Sequence, residues 1–305
     1  MSYAISYIIP AYNCALTIEE SLDSIIDGNY RNGDEIIIVD DASTDTTPAL
    51  LEKFAVRYPN VSVLRHTLNK GGAAARNTAA ERASNSLIFC LDSDNVLVPG
   101  SVEKLQRLLV ENDADVASFQ ELRFFTSATV EITHKWVFQP GVIALADCLA
   151  GTVVPISSGN YLYSRASWQR AGGYPEFAGA LDAWGFGLRQ MATGSKMVVL
   201  PDSFYYHRYG HESYWVREAK RGETSSKALQ IITPYLDLLE DQDVEYITGE
   251  QGRCVWLEQL KQRPLKLKTG DEGRIGMIIH PPKAGFLKRI AVMLAARGKR
   301  LIAGQ

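Results

Sequence analysis

Short apolar runs alternate with amphipathic segments along the first hundred residues of the chain. Continuous apolar runs are typical of strands covered on both faces, and they predict β-strands over residues 4–10, 35–40, 61–66 and 86–92. Segments with helical periodicity predict helices over residues 17–27, 47–58, 71–83 and 101–112. Strands separated by helices predict an α/β fold with a mixed, mostly parallel sheet and helices on both faces.

Two of these helices carry recognisable start signals. Thr17 and Glu20 have the spacing of a capping box, in which each side chain bonds the other residue's backbone. Thr47 followed by Pro48 fits an N-cap with proline at the first helical position.

The pattern changes after residue 115. Strands are predicted over residues 115–125 and 128–133, and a helix over residues 141–151. Residues 157–177 mix a strand, a short helix and a Gly-rich turn, and residues 181–194 predict a helix. Four of the five tryptophans lie in this second part, and aromatic faces suit both sugars and cores. Trp168 is assigned to the core, and Trp184 is the better candidate for a binding pocket.

The composition is that of an ordinary globular protein, with 46% hydrophobic and 22% charged residues among 305. Cysteines at positions 14, 90, 148 and 254 are scattered, which favours reduced thiols and a cytoplasmic location. The N-terminal segment has the pattern of a first strand rather than a signal peptide. No apolar run approaches the roughly 18–20 residues that a membrane span needs.

The charge is distributed unevenly along the chain. Residues 253–305 contain 12 Lys and Arg against 3 Asp and Glu, a net charge of +9, and the preceding residues carry −12. Residues 285–302 have an amphipathic helical pattern with a basic face. A helix within residues 283–302 could lie at the inner face of an anionic membrane, or dock on the body or a sister subunit. Docking on the chain's own body is slightly favoured, and the oligomeric state is left open.

Acidic residues follow two strands of the predicted sheet. Parallel strands end at a common edge, and ligands of open α/β sheets bind outside that edge. Asp40 and Asp41 follow one strand, and Asp92 and Asp94 follow another, so they are expected on one rim. Mg²⁺ and Mn²⁺ prefer oxygen ligands and bridge carboxylates to phosphates, which makes residues 92–94 a candidate metal–diphosphate site. Acids in such positions also cap turns and helices.

Two further segments could complete a nucleotide site. Asp41 could accept a hydrogen bond from a base or a ribose, although an Asx-turn is the alternative. In residues 69–77, glycines at a helix start expose backbone N–H groups to an anion, and Lys70 and Arg76 could neutralise phosphate. Alternatively, the helix is simply close-packed and Arg76 pairs with the acidic rim.

The order of these segments resembles the family 2 glycosyltransferases, which have the GT-A fold. The resemblance rests on IIPAYN, IIIVDDASTDTT, NKGGAAARN and LDSDN at their observed spacing. Two later segments, GNYLYSRASWQRAGGYPEF and ALDAWGFGLR, resemble the family's acceptor side, and the resemblance covers about residues 3–215.

The resemblance implies roles for the rim residues. Asp94 would hold Mn²⁺ or Mg²⁺ against the diphosphate of a nucleotide sugar, and Asp92 with Ser93 would lie nearer the ribose and donor sugar. Asp41 would read the base, usually uracil, with Pro10 and Tyr12 beside it.

The resemblance also implies residues on the acceptor side. Many members use a histidine after the last strand to complete the metal site, and His207 matches this position slightly better than His211. Asp182 corresponds to the second acid of a Glu-Asp motif and is the candidate general base. Leu181 replaces the first acid of that motif, which weakens detailed inference about the donor-sugar pocket.

These implications predict an inverting, metal-dependent glycosyltransferase. It would move a sugar, most often from a UDP donor, to a hydroxyl of a cell-surface polysaccharide or lipid-linked glycan, with no nucleic-acid partner. A nucleotidyltransferase and a non-catalytic nucleotide-sugar- or glycan-binding module are the alternatives. The nucleotide-sugar-binding half is assigned to residues 1–100, the acceptor-binding half of the same domain to 101–215, and a helical extension, basic from 253, to 216–305.

Overall fold

The computed structural model describes residues 3–149, 154–210, 214, 218, 220, 221, 223–249, 265 and 268. The strands are β1 Ile5–Ala11, β2 Glu35–Asp40, β3 Val61–Arg65, β4 Leu87–Cys90, β5 Val116–Phe125, β6 Ile132–Val137, β7 Gly141–Ile143, β8 Leu162–Ser164 and β9 Met197–Arg208. The α-helices are α1 Ile18–Ile26, α2 Thr47–Arg57, α3 Gly72–Arg82, α4 Ser101–Glu111, α5 Leu145–Leu149, α6 Arg165–Ala171, α7 Asp182–Ala192, α8 Thr224–Ile232 and α9 Asp241–Thr248. Short 3₁₀ helices cover Pro155–Ser158, Glu176–Leu181 and Thr233–Leu238.

One mixed sheet contains all of these strands. Its order is β3-β2-β1-β4-β8-β5-β9-β7, and β6 pairs with β5 beyond this path. Strands β1 to β4 are mutually parallel, β5 is parallel to β9, and β8 is antiparallel to both β4 and β5. The α/β fold with a mostly parallel sheet, predicted from the alternation of strands and helices, is therefore confirmed.

The central strands are buried on both faces. Every residue of β4 is buried, as are six of the seven residues of β1, including Ile8 and Ile9 with no exposed surface. Complete burial requires cover on both sides of the sheet, which explains why these strands lack alternating polar residues. Because β1 is parallel to its neighbours β2 and β4, the carboxyl ends of these three strands lie together at one rim.

Two parts of the second half differ from the sequence prediction. The helix predicted from residue 141 begins at Leu145, because Gly141–Ile143 pairs antiparallel with Met197–Val199 of β9. Val142 and Ile143 are β-branched, which favours the strand. The sequence pattern gave no prediction for β9, whose ladder with β5 shifts register near Pro201, beside Asp202 with φ +53°.

Both predicted helix caps were wrong in detail. Thr17 makes no capping hydrogen bond to its own helix, and its hydroxyl donates to the carbonyl of Ser93 at 2.9 Å. Thr47 is the first residue of α2 rather than its N-cap, and its hydroxyl oxygen accepts from the Cys14 backbone N–H at 2.9 Å. Tertiary contacts at the rim replace local capping at both positions.

The chain beyond β9 is described only in part. Helix α8 packs against the 3₁₀ helix Glu176–Leu181, and α9 follows it. The basic segment that follows residue 253, including the predicted helix over residues 283–302, lies outside the described residues apart from two positions. None of the described helices is long and apolar enough to cross a membrane. The domain boundaries proposed at residues 100 and 215 stay a prediction.

Candidate active site

An arginine joins two acids at the carboxyl rim of the sheet. Arg76 Nη2 donates to Asp92 Oδ1 at 2.6 Å, and Arg76 Nη1 donates to Asp182 Oδ2 at 2.5 Å. The three residues come from α3, the loop after β4 and the start of α7. The arginine therefore brings together the candidate donor-side acid and the candidate base, 90 residues apart in the chain.

This ion cluster is largely removed from solvent. The side chains of Arg76, Asp92 and Asp182 are 12%, 23% and 7% exposed. Burial raises the pKa of the Asp182 carboxyl above its ordinary value, and Arg76 opposes that rise. Burial also acts against the charge of Arg76, but Asp182 and Asp92 hold the pKa of this guanidinium above its usual range. Two carboxylates share one cation, so the cluster retains a negative charge.

Gly72, the first residue of α3, makes room for this cluster. A Cβ on Gly72 would lie 2.8 Å from Arg76 Nη1 and 3.5 Å from Asp182 Oδ2. A larger residue at the first position of α3 would displace the guanidinium. The Gly-rich start of this helix is thus explained by close approach to an ion pair, and a role of Lys70 and Arg76 in neutralising phosphate stays a prediction.

Asn160 holds Asp92 from the other side. Its Oδ1 accepts from the Asp92 backbone N–H at 2.7 Å, and its Nδ2 lies 3.1 Å from Asp92 Oδ2. Asn160 is fully buried and also contacts the Tyr205 hydroxyl at 3.2 Å. The Asp92 carboxylate is therefore fixed by a guanidinium and an amide, both anchored in the core.

The loop carrying Asp92-Ser93-Asp94 is tied to β9. Val96 forms an isolated antiparallel bridge with Tyr206, and Asn95 Oδ1 accepts from the Arg208 backbone N–H at 3.0 Å. The Arg208 side chain donates to the Asp94 carbonyl and pairs with Glu20 on α1. Thr17 and Glu20, the expected capping pair, thus both help to hold this loop: Thr17 bonds Ser93 directly, and Glu20 pairs with Arg208.

The same contacts bring the two candidate metal ligands, Asp94 and His207, into one region. His207 precedes the residue that bonds Asn95, and its Nδ1 lies 3.4 Å from the Tyr205 hydroxyl. A carboxylate and an imidazole are suitable donors for Mn²⁺. Among the described residues there is no group of three or more His, Cys, Asp or Glu side chains that could hold a metal ion. The assignment of Asp94 and His207 as metal ligands stays a prediction. His211 lies outside the described residues.

Asp41 organises the turn before α3. Its Oδ1 accepts from the Lys70 backbone N–H at 2.9 Å and contacts His66 Nδ1 at 2.6 Å, while its Oδ2 accepts from the Gly71 N–H at 2.7 Å. His66 Nε2 in turn contacts Thr78 Oγ1 at 3.0 Å. The Asp41 side chain is only 3% exposed. Oδ2 accepts one of these bonds, and because a carboxylate oxygen can accept two, it has the capacity for a second.

The other predicted contact residues lie around the same rim. Pro10 is partly buried at the end of β1, Tyr12 is 39% exposed just after it, and Ser93 is partly buried beside Asp92. The Lys70 side chain is exposed. Asp45 accepts from the Thr47 backbone N–H at 2.9 Å, as in an Asx-turn.

A second buried ion pair supports the segment that precedes Asp182. Glu218, which is 2% exposed, pairs with Lys227 on α8 and accepts from the Ala180 backbone N–H at 2.9 Å. Gly179 has φ +59°, and a Cβ there would overlap the Glu218 carboxylate. Glu218 and Lys227, which follow α7 in the chain, therefore hold the segment that leads into α7.

Sequence reasoning missed His66, Asn160 and Glu218. Their partners lie 25 to 68 residues away in the chain, and a single polar residue in a loop carries no signal for such contacts. It also misplaced Trp184, which is 1% exposed and donates to the Cys148 carbonyl at 3.0 Å, so it belongs to the core. The cysteines at 14, 90 and 148 are buried and free, and Cys254 lies outside the described residues.

Comparisons with known proteins identify a family model that matches the sequence of this chain. The model described as "Glycosyl transferase family 2" matches residues 6–176, more than half of the chain. Glycosyltransferase GlyG of Streptococcus pneumoniae is 38% identical over 117 residues, 38% of either chain. A UDP-Glc:alpha-D-GlcNAc-diphosphoundecaprenol beta-1,3-glucosyltransferase of Escherichia coli, WfgD, is 33% identical over 111 residues, which cover 36% of this chain and 43% of that enzyme. Each match spans less than half of the relative's own length.

Solved structures show the fold over a longer stretch. TarS of S. aureus in complex with UDP-GlcNAc has a TM-score of 0.65 at 19% identity, covering 91% of this chain and 82% of that one. The mannosyltransferase PcManGT from Pyrobaculum calidifontis, in complex with GDP-Man and Mn²⁺, has a TM-score of 0.59 at 20% identity, covering 100% and 82%. These likenesses confirm the GT-A fold.

Proposed function

The chain belongs to glycosyl transferase family 2, and from this premise we propose that it is an inverting, metal-dependent enzyme with a UDP-sugar donor. The acceptor would be a hydroxyl of a cell-surface polysaccharide or a lipid-linked glycan. One observation carries the proposal: Arg76 joins Asp92, the donor-side acid, to Asp182, the candidate base. An inverting transfer needs a base that takes the proton of the attacking acceptor hydroxyl, and this contact sets the candidate base beside the donor-side acid.

The donor assignment draws on relatives with the same fold. TarS was solved with UDP-GlcNAc, and the E. coli relative is named for UDP-Glc and a diphosphoundecaprenol-linked acceptor. The archaeal mannosyltransferase was solved with GDP-Man, so the fold also accepts another base. A screen of UDP- and GDP-sugars for Mn²⁺-dependent thermal stabilisation would test the proposal, since a ligand that binds only the native state raises its stability. Stabilisation by no nucleotide sugar would contradict it.

Asp182 would act as the base toward the acceptor hydroxyl. A carboxylate within hydrogen-bond reach can take the proton as the oxygen attacks the anomeric carbon. Burial raises the pKa of Asp182, which makes its carboxylate a stronger base than an ordinary aspartate. Arg76 keeps it ionised and oriented, and Ala183 N–H donates to its Oδ1 at 2.7 Å.

Asp94 and His207 would hold the divalent cation. When bound, such a cation stabilises the charge on the leaving diphosphate. The protein's contribution is to fix the loop of residues 92–96, through Thr17 on one side and Arg208 on the other.

An Asp94→Ala variant is expected to lose the Mn²⁺-dependent part of its UDP affinity, because the carboxylate that joins cation and protein is removed. Asp92→Ala should lose less. Calorimetry with UDP, in Mn²⁺ and in EDTA, measures this difference. Asp237→Ala, at an exposed position in the 3₁₀ helix Thr233–Leu238, is the matched control. An unchanged Mn²⁺ dependence in Asp94→Ala would overturn the metal assignment.

Asp41→Asn is expected to lower UDP affinity roughly ten- to hundredfold, since a charge-assisted hydrogen bond contributes about 1.5–3 kcal/mol. Uracil N3–H donates to a carboxylate, whereas cytosine N3 accepts and can take a bond from an amide. If Asp41 reads the base, the substitution should therefore weaken UDP binding more than CDP binding. If Asp41 only anchors Lys70 and Gly71, the affinities for both nucleotides should fall equally. Calorimetric titration with each nucleotide separates these outcomes.

The two alternative classes make different predictions in one assay. A nucleotidyltransferase would release pyrophosphate from a nucleoside triphosphate, and a binding module would release neither product. Release of UDP that depends on a glycan acceptor supports the glycosyltransferase.

Membrane contact through residues 283–302 is a separate proposal, based on the net charge of +9 after residue 252. Removing residues 283–305 should reduce sedimentation with anionic vesicles at low salt and leave UDP affinity unchanged. If the full chain does not sediment with these vesicles either, the segment has another role.

A further inference from the structure

A row of rings crosses three strands next to the candidate metal site. Phe124 on β5 is the register partner of His134 on β6 and of His207 on β9, so all three side chains lie on one face of the sheet. The rings of Phe124 and His134 are stacked, with centroids 4.1 Å apart and planes at 9°. The rings of Phe124 and His207 have centroids 4.8 Å apart.

The outer end of this row is open to solvent. Phe124 is 4% exposed, whereas His134 is exposed and Tyr209 is 54% exposed. Tyr209 meets His134 edge-on, with centroids 5.3 Å apart and planes at 87°. Trp136 also contacts Phe124, at a centroid distance of 5.0 Å, and is partly buried. A rigid buried ring thus supports two exposed rings that carry polar atoms.

We propose that His134 and Tyr209 form a platform that binds a sugar unit of the acceptor. The proposal rests on the glycosyltransferase function proposed above. Aromatic faces suit the C–H surfaces of sugars, and an imidazole nitrogen and a phenol hydroxyl can bond sugar hydroxyls. An acyl chain would gain nothing from these polar atoms and would bury them at a cost. The mixed character of the two rings therefore favours a glycan over a lipid.

A series of side chains links the platform to Asp182. From Asp182, contacts run through Arg76, Asp92, Asn160, Tyr205, His207 and Phe124 before they reach His134. Six side chains therefore separate the candidate base from His134 along this path. The platform would hold a unit further along the acceptor, and binding energy from such remote parts can position the reacting group.

The experiment compares His134→Ala, Tyr209→Ala and the double variant with wild type on an array of soluble bacterial oligosaccharides. Both side chains are exposed, so the variants should fold, and thermal unfolding checks this. Wild type should bind oligosaccharides of two or more units, and each variant should bind the same glycans roughly tenfold more weakly. Val130→Ala, 87% exposed in the turn between β5 and β6, is the control and should bind as wild type does.

UDP affinity in Mn²⁺ is measured on the same proteins. Unchanged UDP affinity with weakened glycan binding supports the platform. Unchanged glycan binding in the double variant, or no glycan bound by wild type, would overturn it while leaving the donor site intact. Absence of UDP binding in wild type would instead contradict the proposed donor.

Discussion

Sugar transfer by an Asp182→Asn variant is expected to be about 10²–10⁴-fold slower than wild type, the usual contribution of a general base. Asparagine keeps the size of the side chain, but its single oxygen can accept from only one of the two donors, Arg76 or the Ala183 N–H, which bond different oxygens of Asp182. It cannot take a proton from the acceptor hydroxyl. The affinity for UDP should stay near wild type, because Asp182 itself is not among the residues assigned to the nucleotide and Arg76 keeps its bond to Asp92. Initial rates of UDP release, with acceptor present, measure the effect.

The matched control is Asp113→Asn, which makes the same exchange at an exposed residue with φ +46°, a conformation that Asn tolerates. Its transfer rate should equal that of wild type. If Asp182→Asn retains most of its transfer rate, Asp182 serves only as a partner of Arg76 and of the first turn of α7.

The pH dependence of transfer provides an independent check. Burial raises the pKa of Asp182, and only the deprotonated form can act as base. The rate should therefore fall with decreasing pH around a midpoint above the ordinary aspartate value of about 3.9. A midpoint at or below that value would contradict the environment described for this carboxyl.

The strands of the first hundred residues could be predicted from the sequence because the central ones are covered on both faces. The bounds predicted for β2 agree with the structure, and those of β1 differ by one residue at each end. An apolar run does not predict β9, since Pro201 and Asp202 interrupt the apolar pattern where the ladder with β5 shifts register. The helix predicted from residue 141 was wrong at its start for a related reason. The pairing of Gly141–Ile143 with β9 outweighs a helical pattern that is only local.

The acids of the site could be predicted, but not their partners. Asp41, Asp92 and Asp94 follow strands, and the topology of parallel sheets gathers such residues at one rim. Asn160 reaches Asp92 because β8 lies beside β4, and the order of strands is not written in any local pattern. Arg76 was expected near phosphate or near the rim acids, and only the packing of α3 against α7 decides which acids it meets.

Arg76→Met is expected to destabilise the chain by about 3–5 kcal/mol at neutral pH, the usual cost of removing one partner of a buried ion pair. The variant would leave Asp92 and Asp182 close together with no cation between them. Methionine preserves most of the side-chain volume, so the loss reports on charge rather than on a cavity. Urea unfolding at pH 7.5 measures the free energy, and Arg82→Met, at an exposed arginine of the same helix, should lie within about 0.5 kcal/mol of wild type.

The pH dependence of this loss identifies its cause. In wild type, burial raises the pKa of Asp182, while Arg76 lowers it. Without Arg76 the pKa of the folded carboxyl rises further above its unfolded value of about 3.9. A carboxyl with a raised folded pKa binds more protons in the native state, so stability falls as pH rises through that pKa and is recovered below it. The difference between Arg76→Met and wild type should therefore stay level while the pH is above the folded pKa, and shrink as the pH falls from the folded pKa toward the unfolded value of about 3.9. A loss that stays constant down to about pH 4 would mean that Arg76 stabilises the fold through packing, and the charge argument for the cluster would be wrong.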